Sequence, residues 1–349
     1  MVHEYTTTPS IAMRILFSGH HNPHFLTITE YLERAIVAEG HDLFTFEDRR
    51  HLIPGRIRRK SALLNHLDRG LINFRFKSLA QRVMPEMVIV TGGHRIMPNS
   101  ISYLKKIGII TVLWTIDPPR IFQPIIEVAP FYDHIFCQGT EAVELLDAAG
   151  ISGAQWLPMA CDPEFHHPVS CSEDEKRRYG SDVVFVGSYY PERAAIFERL
   201  THFDLAVWGP GWDALPPKSP LSVHLRGRHT RPEEWLKIYS SSRIVLSTHY
   251  HDPQNRFPVY QASPRVFEIM ACGAFQLCDD QRDVFTLFQE DRDLARFTDG
   301  DDLVKKVSYY LNHQDERQRI TQMGRETVLA AHTYRERIRT LLRVIRAES

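Results

Sequence analysis

The sequence predicts an α/β protein made of two Rossmann-like domains whose parallel sheets face each other across a cleft. Three observations lead there. Short apolar, β-branched runs alternate with helix-period segments along nearly the whole chain. The runs are apolar on both faces, as expected of strands covered by helices on either side. The alternation stops near residue 160 and restarts near 182, which in a chain of 349 residues leaves each half long enough to bury its own core.

The elements follow in order. Met13–Phe17 is a strand ended by Ser18-Gly19, and Phe25–Glu39 is a helix through Leu26, Tyr31, Leu32, Ala35 and Ile36, with Gly40 placed to end it. Leu43–Phe46, Met87–Thr91, Ile109–Thr115 and His134–Cys137 are strands. A helix runs from Thr140 to Ala149-Gly150, and Gln155–Met159 is the last strand of this half. Prolines and charges without apolar period then mark a linker. In the second half, Asp182–Val186, Leu205–Trp208, Val223–Leu225, Ile244–Ser247 and Phe275–Cys278 read as strands. Helices are expected at Pro191–Leu200, after a Thr230-x-x-Glu233 capping box, and from Ser263-Pro264 to Gly273. Asp301–His313, Glu316–Ala331 and Tyr334–Ile345 complete the chain. The predicted domains are 1–165, a linker at 166–180, 181–331, and a terminal helix at 332–349 that returns to the first domain.

Composition sets limits. Hydrophobic residues make up 43% and charged residues 24%, which excludes a disordered, collagen-like or coiled-coil chain. With 42 Lys+Arg against 43 Asp+Glu, the molecule as a whole is not a polyanion binder. No apolar run approaches the ~18–20 residues of a membrane helix, and Met1–Ser10 lacks the pattern of a secretory signal. Five cysteines without a C-x-x-C pair point away from a disulfide framework or structural zinc, and to a reducing, cytoplasmic setting.

The segment with the most chemistry is Ser263-Pro-Arg-Val-Phe-Glu268-Ile-Met-Ala-Cys-Gly273. Ser263 and Pro264 fix a helix N-terminus, which favours an anion, and Arg265 adds a permanent cation there. Glu268 is i+3 from Arg265 and so on the same helix face. That pairing suits a nucleoside diphosphate: Arg265 on phosphate, Glu268 accepting from ribose hydroxyls. An Arg–Glu pair on an ordinary amphipathic helix is the alternative.

The Glu268-Ile-Met-Ala-Cys-Gly-Ala stretch resembles the E-A-M-A-C-G-x-P segment of family 4-like glycosyltransferases, which have the GT-B fold. Its Arg-x-Phe-Glu start, Leu113–Pro118 against that group's W-x-x-D-x-P stretch, Phe131–Cys137, Leu157–Pro163, Asp182–Ser188 and Gly209-Pro-Gly-Trp resemble, in order, the CgeB-like (spore maturation protein-like) group. The resemblance covers roughly residues 13–340 and implies a GT-B enzyme moving a sugar from a nucleotide-diphosphate sugar to an acceptor. One position departs from it. The family 4 pattern has a second glutamate eight positions before Glu268, where this chain has Tyr260. A retaining mechanism and the donor sugar are therefore left open.

Other donor-binding candidates are Gly187 and Ser188 at a strand end, Arg193 on the following helix, which resembles the family's basic residue on the diphosphate, and Arg228-His229 beside the base. Candidate bases toward the acceptor hydroxyl are His20, after Gly19, and Asp117. Gly19, His249, His251 and Tyr260 are expected to contact sugar or acceptor. His20-His21-x-x-His24 and His249-x-His251-Asp252 look like metal sets but lack a further clear ligand, so no metal or other cofactor is expected, and the departing diphosphate is stabilised by cations. Asp291-Arg292-Asp293 reads as surface charge, and Gly209-Pro-Gly-Trp-Asp-Ala matches a dinucleotide fingerprint that Pro216-Pro217 rules out. Residues 49–82 hold ten Lys and Arg against Asp68 alone, a balance of +9 that is either a solvated helical face or a site for an anionic acceptor, lipid headgroup or nucleic acid. The alternatives to a transferase are a nucleotide-sugar epimerase on the same fold and a non-catalytic nucleotide-sugar-binding protein.

Overall fold

The computed structural model describes residues 12–22, 26–58, 60–93, 95–116, 122–228, 231–251, 254 and 256–348. Asp117 and His229, and with them His24, Thr230 and Asp252, lie outside the described residues. The chain divides into two compact units, Met1–Leu157 with Arg337–Ser349, and Pro158–Glu336.

The first unit holds strands β1 (Arg14–Gly19), β2 (Asp42–Glu47), β3 (Met87–Thr91), β4 (Ile110–Thr115), β5 (His134–Cys137) and β6 (Ala154–Trp156). They form one parallel sheet in the order β2-β1-β3-β4-β5-β6. Its helices are α1 (Ile28–Ala38), α2 (Gly55–Arg58), α3 (Ala62–Val83), α4 (Pro98–Lys106), α5 (Gln123–Val128) and α6 (Thr140–Ala148). Strand residues from Ile15 to Phe17 and from Met87 to Val90 are almost wholly buried, which is why these runs carry no polar alternation. The first helix is shorter than the periodicity predicts. Thr27 and Glu30 close a capping box, so the helix starts three residues after Phe25, and Gly40 follows in the left-handed region at φ 82°.

The second unit holds α7 (Glu173–Tyr179), β7 (Val183–Val186), α8 (Pro191–Phe197), β8 (Leu205–Trp208), β9 (Leu225–Gly227), α9 (Pro232–Ser241) and β10 (Ile244–Ser247). It continues through α10 (Pro264–Ala271), β11 (Gln276–Asp279), α11 (Arg282–Leu287), β12 (Ala295–Phe297), α12 (Gly300–Asn312), α13 (Gln314–Ala331) and the start of α14 (Tyr334–Glu348). From Arg337 onward α14 is part of the first unit, where Arg339 donates to Glu39 at 2.6 Å. The second sheet is also parallel, in the order β9-β8-β7-β10-β11-β12. The order reverses between β7 and β10, and the crevice outside the carboxyl ends of such a strand pair is where open α/β sheets take ligands.

Three local readings are corrected. The segment 166–180, expected as a linker without apolar period, contains α7, opened by a Ser172–Glu175 capping box, so its charges from Glu173 to Arg178 sit on a helix. Helix α9 begins at Pro232, and it is Glu234 that accepts the Arg231 amide at 2.8 Å, one position beyond the predicted box. Asp291-Arg292-Asp293 is surface charge only in part: Asp291 is exposed and Arg292 half-exposed, but Asp293 is buried. The buried Asp293 carboxylate accepts from the Gln289 amide, Arg292 and Thr327, and Tyr310 donates to Asp291, so the tripeptide is the turn leading into β12, a strand the sequence does not announce. Among the described residues no helix is long and apolar enough to cross a membrane.

Candidate functional site

In the second unit, Gly187-Ser188 leaves β7 and Thr248-His249 leaves β10, the two strands of the reversal point. Arg193, in the first turn of α8, reaches back to both. Its Nε donates to Thr248 Oγ1 at 2.7 Å and Nη2 to the Thr248 carbonyl at 2.8 Å, while Nη1 donates to the Ser188 carbonyl. Its guanidinium lies over the rings of Phe185 and Tyr190, at 4.6 and 4.8 Å from their centroids. Burial, and then the positive charge of Arg265, lower its pKa to about 9, so Arg193 is cationic at neutral pH.

Arg265 comes from the first turn of α10. Its guanidinium lies over Phe185 at 5.1 Å, and Nη1 is 3.5 Å from that same Thr248 carbonyl. Two cations thus converge on one ring and one carbonyl oxygen. Gly187 is required there: a Cβ on it would sit 2.6 Å from Arg265 Nη2 and 2.8 Å from Phe185. The Gly187 backbone is pinned by Trp212, whose Nε1 donates to its carbonyl at 2.9 Å, and by its own amide donating to Trp208 at 2.8 Å.

The N-terminus of α10 is positioned by a buried imidazole. Ser263, the N-cap, donates its amide to His249 Nε2 at 3.1 Å, and His249 Nδ1 donates to Asp279 at 2.6 Å. The Asp279 carboxylate also accepts the His249 amide at 2.7 Å and lies 3.3 Å from His251 Nε2. Burial opposes the charge on Asp279, but the two histidines and these hydrogen bonds hold its carboxyl well below the usual carboxylate range. The same bond to Asp279 raises the pKa of His251. His249, Cys278 and Asp279 lie close enough together to resemble a metal set. Both imidazole nitrogens are nevertheless engaged within the protein, so the ring has no lone pair to offer and acts as a brace between β11 and α10. Ser263 Oγ is buried with no partner among the described residues.

Glu268 lies one turn along α10. Burial pushes its carboxyl up to about 7, and the charge of Arg265 only partly offsets that. His166 Nε2 is 3.8 Å from Glu268 Oε1. Burial lowers His166 to about 4, and its Nδ1 accepts the Asp162 amide at 3.0 Å, so the neutral ring carries its proton on Nε2, on the Glu268 side.

Ser188, Arg193, Ser263, Arg265, Glu268 and Gly187 are therefore gathered at one end of β7 and β10. Among the described residues no hydrogen bond joins Tyr260 to them. Its carbonyl accepts the Asp283 amide and its ring lies under Arg282 at 4.3 Å. Arg228 is exposed on the bend after β9. Phe185, Thr248, His166 and Asp279 escaped the sequence reading. An aromatic or threonine at a strand end looks like any core or edge residue until the fold shows what lies over it.

In the first unit, His20 follows Gly19 at the end of β1, where a Cβ on Gly19 would press within 3 Å of Thr29. His20 Nδ1 is 3.1 Å from Glu47 Oε1. The other Glu47 oxygen takes the amide and Nδ1 of His21, whose Nε2 is 2.8 Å from Glu33. Burial opposes a charge on His21, yet its two carboxylate partners raise its pKa overall.

Comparison with known proteins agrees with this fold. A family model described as "Glycosyl transferase-like" matches residues 193–343, from the Arg193 position through most of α14. The Spore protein CgeB of Bacillus subtilis (strain 168) is 24% identical over 263 residues, covering 72% of this chain and 80% of that protein. Sucrose-phosphate synthase from Thermosynechococcus elongatus superposes with a TM-score of 0.68 at 14% identity, over 97% of this chain and all of that one. HepE from Anabaena, solved in complex with UDP-glucose, gives 0.65 at 9% identity over 96% and 100% of the two chains. This chain thus has two six-stranded parallel sheets in a GT-B architecture, carries a segment from Arg193 onward that is glycosyl transferase-like, and is similar in sequence to Spore protein CgeB.

Proposed function

We propose that the chain transfers a sugar from a nucleoside-diphosphate sugar held by the second unit to an acceptor hydroxyl. The carrying observation is the pair Arg193 and Arg265, two cations on one aromatic ring at the end of β7 and β10, neither joined to a carboxylate by a hydrogen bond or ion pair among the described residues. Like charges brought this close favour an anion between or beside them. The α10 N-terminus and the Ser263 hydroxyl supply further donors at the same place. Glu268 is one turn away, the right acceptor for a pair of ribose hydroxyls.

In the transfer, the bond from the sugar anomeric carbon to the diphosphate oxygen breaks, and its electron pair leaves with the diphosphate. A bond forms from the acceptor oxygen to that carbon, and the acceptor proton passes to a base. The guanidinium groups stabilise the growing negative charge on the leaving group, the role a cation plays in this chemistry, so no metal is required. His20 is the base we assign: with Nδ1 held by Glu47, its Nε2 is left to accept a proton.

The test is a thermal-shift and calorimetric screen of UDP, GDP, dTDP and their sugars against the unmodified protein and Arg265→Ala. One base class is expected to stabilise the unmodified protein and not the variant, with turnover persisting in excess chelator. A variant that binds as tightly as the parent, or a screen in which no nucleotide stabilises the protein, would overturn the assignment.

A further inference from the structure

The basic segment 49–82 plays no part in the donor site, and the structure shows that it is not a plain solvated face. Helix α3 is apolar on two opposite sides. One side carries Ile72, Phe76 and Ala80 into the core of the first unit. The other carries Leu63, Leu67, Leu71 and Phe74, which are 44% to 67% exposed. At 100° per residue these four fall within an arc of about 80°, and the stripe runs along about 16 Å of helix. Four large apolar side chains in line on an outward helix face are a binding surface more often than a chance of composition.

The charges that flank the stripe on α3 itself are of one sign. Lys77 flanks it on one side, and Arg75 and Arg82 on the other. Asp68, the segment's one acid, is buried, where it accepts from His51, Arg58 and the Leu52 and Ile53 amides, so it does nothing to neutralise the surface. Beside Phe74 lies a cavity of about 770 Å³ lined by Arg50, Arg75 and Arg82, none of them in an ion pair among the described residues, and by Glu47, whose carboxylate is already taken up by His20, His21 and the Arg49 amide.

We propose that α3 docks the first unit on a lipid bilayer containing anionic headgroups, with Leu63, Leu67, Leu71 and Phe74 entering the acyl boundary and the Arg50–Arg75–Arg82 cavity taking a lipid phosphate. The pairing of an apolar stripe with basic flanks is what an interfacial helix needs. A nucleic acid would use the arginines but leave the four apolar side chains in water. A second copy would cover the stripe but would set one basic rim against another, as a two-fold interface must.

The test is flotation of the full chain with vesicles of phosphatidylcholine alone and of phosphatidylcholine with phosphatidylglycerol, at low and high salt. Binding is expected only to the anionic vesicles, weakened by salt. Leu67→Ser with Phe74→Ser is expected to lower partition roughly tenfold or more, and Arg75→Gln with Arg82→Gln about fivefold per residue. All these side chains are at least partly exposed, so melting temperature and nucleotide stabilisation should be unchanged, which separates this surface from the donor site. No partition into anionic vesicles, or equal partition of the Leu67→Ser/Phe74→Ser variant, would overturn the proposal. So would a dimer in solution that this variant dissociates, since the face would then belong to a second copy.

Discussion

The Nε2 of His166 lies 3.8 Å from Oε1 of Glu268 without forming an ion pair at neutral pH. Burial keeps the imidazole neutral, at about 4, and pushes the carboxyl up to about 7, with Arg265 holding it from rising further. Glu268 is thus half ionised near neutrality, and its charge state is set by whatever occupies the site.

Ribose hydroxyls donate better to a carboxylate than to a neutral acid. Nucleotide affinity should therefore rise with pH through about 7 and level off above it. Glu268→Gln should bind more weakly and show no such rise, as calorimetry across pH would reveal. The same group affects stability in the opposite sense. Its folded pKa lies above its ordinary 4.5, so the folded state holds the extra proton and stability falls as pH rises from 4.5 through about 7. In the nucleotide-free protein, Glu268→Gln should be more stable at high pH, by on the order of 3 kcal/mol at most, and unchanged at low pH.

The two arginines should separate under mutation. Arg265 is half-buried and makes one long bond to Thr248, so Arg265→Ala should lower nucleotide affinity about 10- to 100-fold with little change in melting temperature. Arg193 is buried and ties the Ser188 and Thr248 carbonyls together. Arg193→Ala should cost both affinity and about 2–4 kcal/mol of stability, measured by denaturant unfolding.

Two glycines give a graded steric test. Gly187→Ala would drive a methyl into Arg265 Nη2 at 2.6 Å, the end of a flexible side chain, so nucleotide affinity should suffer more than stability. Gly209 has φ 132°, and a Cβ there would be 2.2 Å from the Gly187 carbonyl. Gly209→Ala should destabilise by about 1–3 kcal/mol and shift the Gly187 backbone as well. Thermal melts with and without nucleotide distinguish the two.

Asp279 is ionised far below the ordinary carboxylate range because His249 and His251 face it. A depressed pKa stabilises the fold above the unfolded value, 3.8, and that stability is lost as pH falls below it. Asp279→Asn should lower the melting temperature at neutral pH and flatten its fall in acid. It should also weaken nucleotide binding, because His249 would no longer hold the Ser263 amide in place.

Much of the frame was legible in the chain. Runs such as Met87–Thr91, His134–Cys137, Leu205–Trp208 and Ile244–Ser247 are strands to the residue, because strands buried on both faces leave no room for polar interruption. Errors gathered where side chains compete with backbone signals. Thr27 capped α1 later than its apolar period suggested, and Asp293 built a buried turn from what reads as exposed charge. Helix α3 was illegible by periodicity, since an apolar stripe on each of two opposite sides cancels the one-sided pattern that marks a helix.

The sequence by itself determined that this chain is two parallel α/β units, and it singled out Arg265, Arg193 and Gly187 as candidates for a diphosphate and Glu268 as a candidate for ribose hydroxyls. Only the tertiary structure decided that Arg193 and Arg265 share one ring and one carbonyl, that His249 is a brace and not a ligand, and that α3 keeps an apolar face outward. The physical reason is range. Strand and helix patterns arise from neighbours a few positions apart, whereas a site's charge and burial are set by residues such as Phe185 on β7, Thr248 just after β10 and Asp279 at the end of β11, brought together from distant parts of the chain.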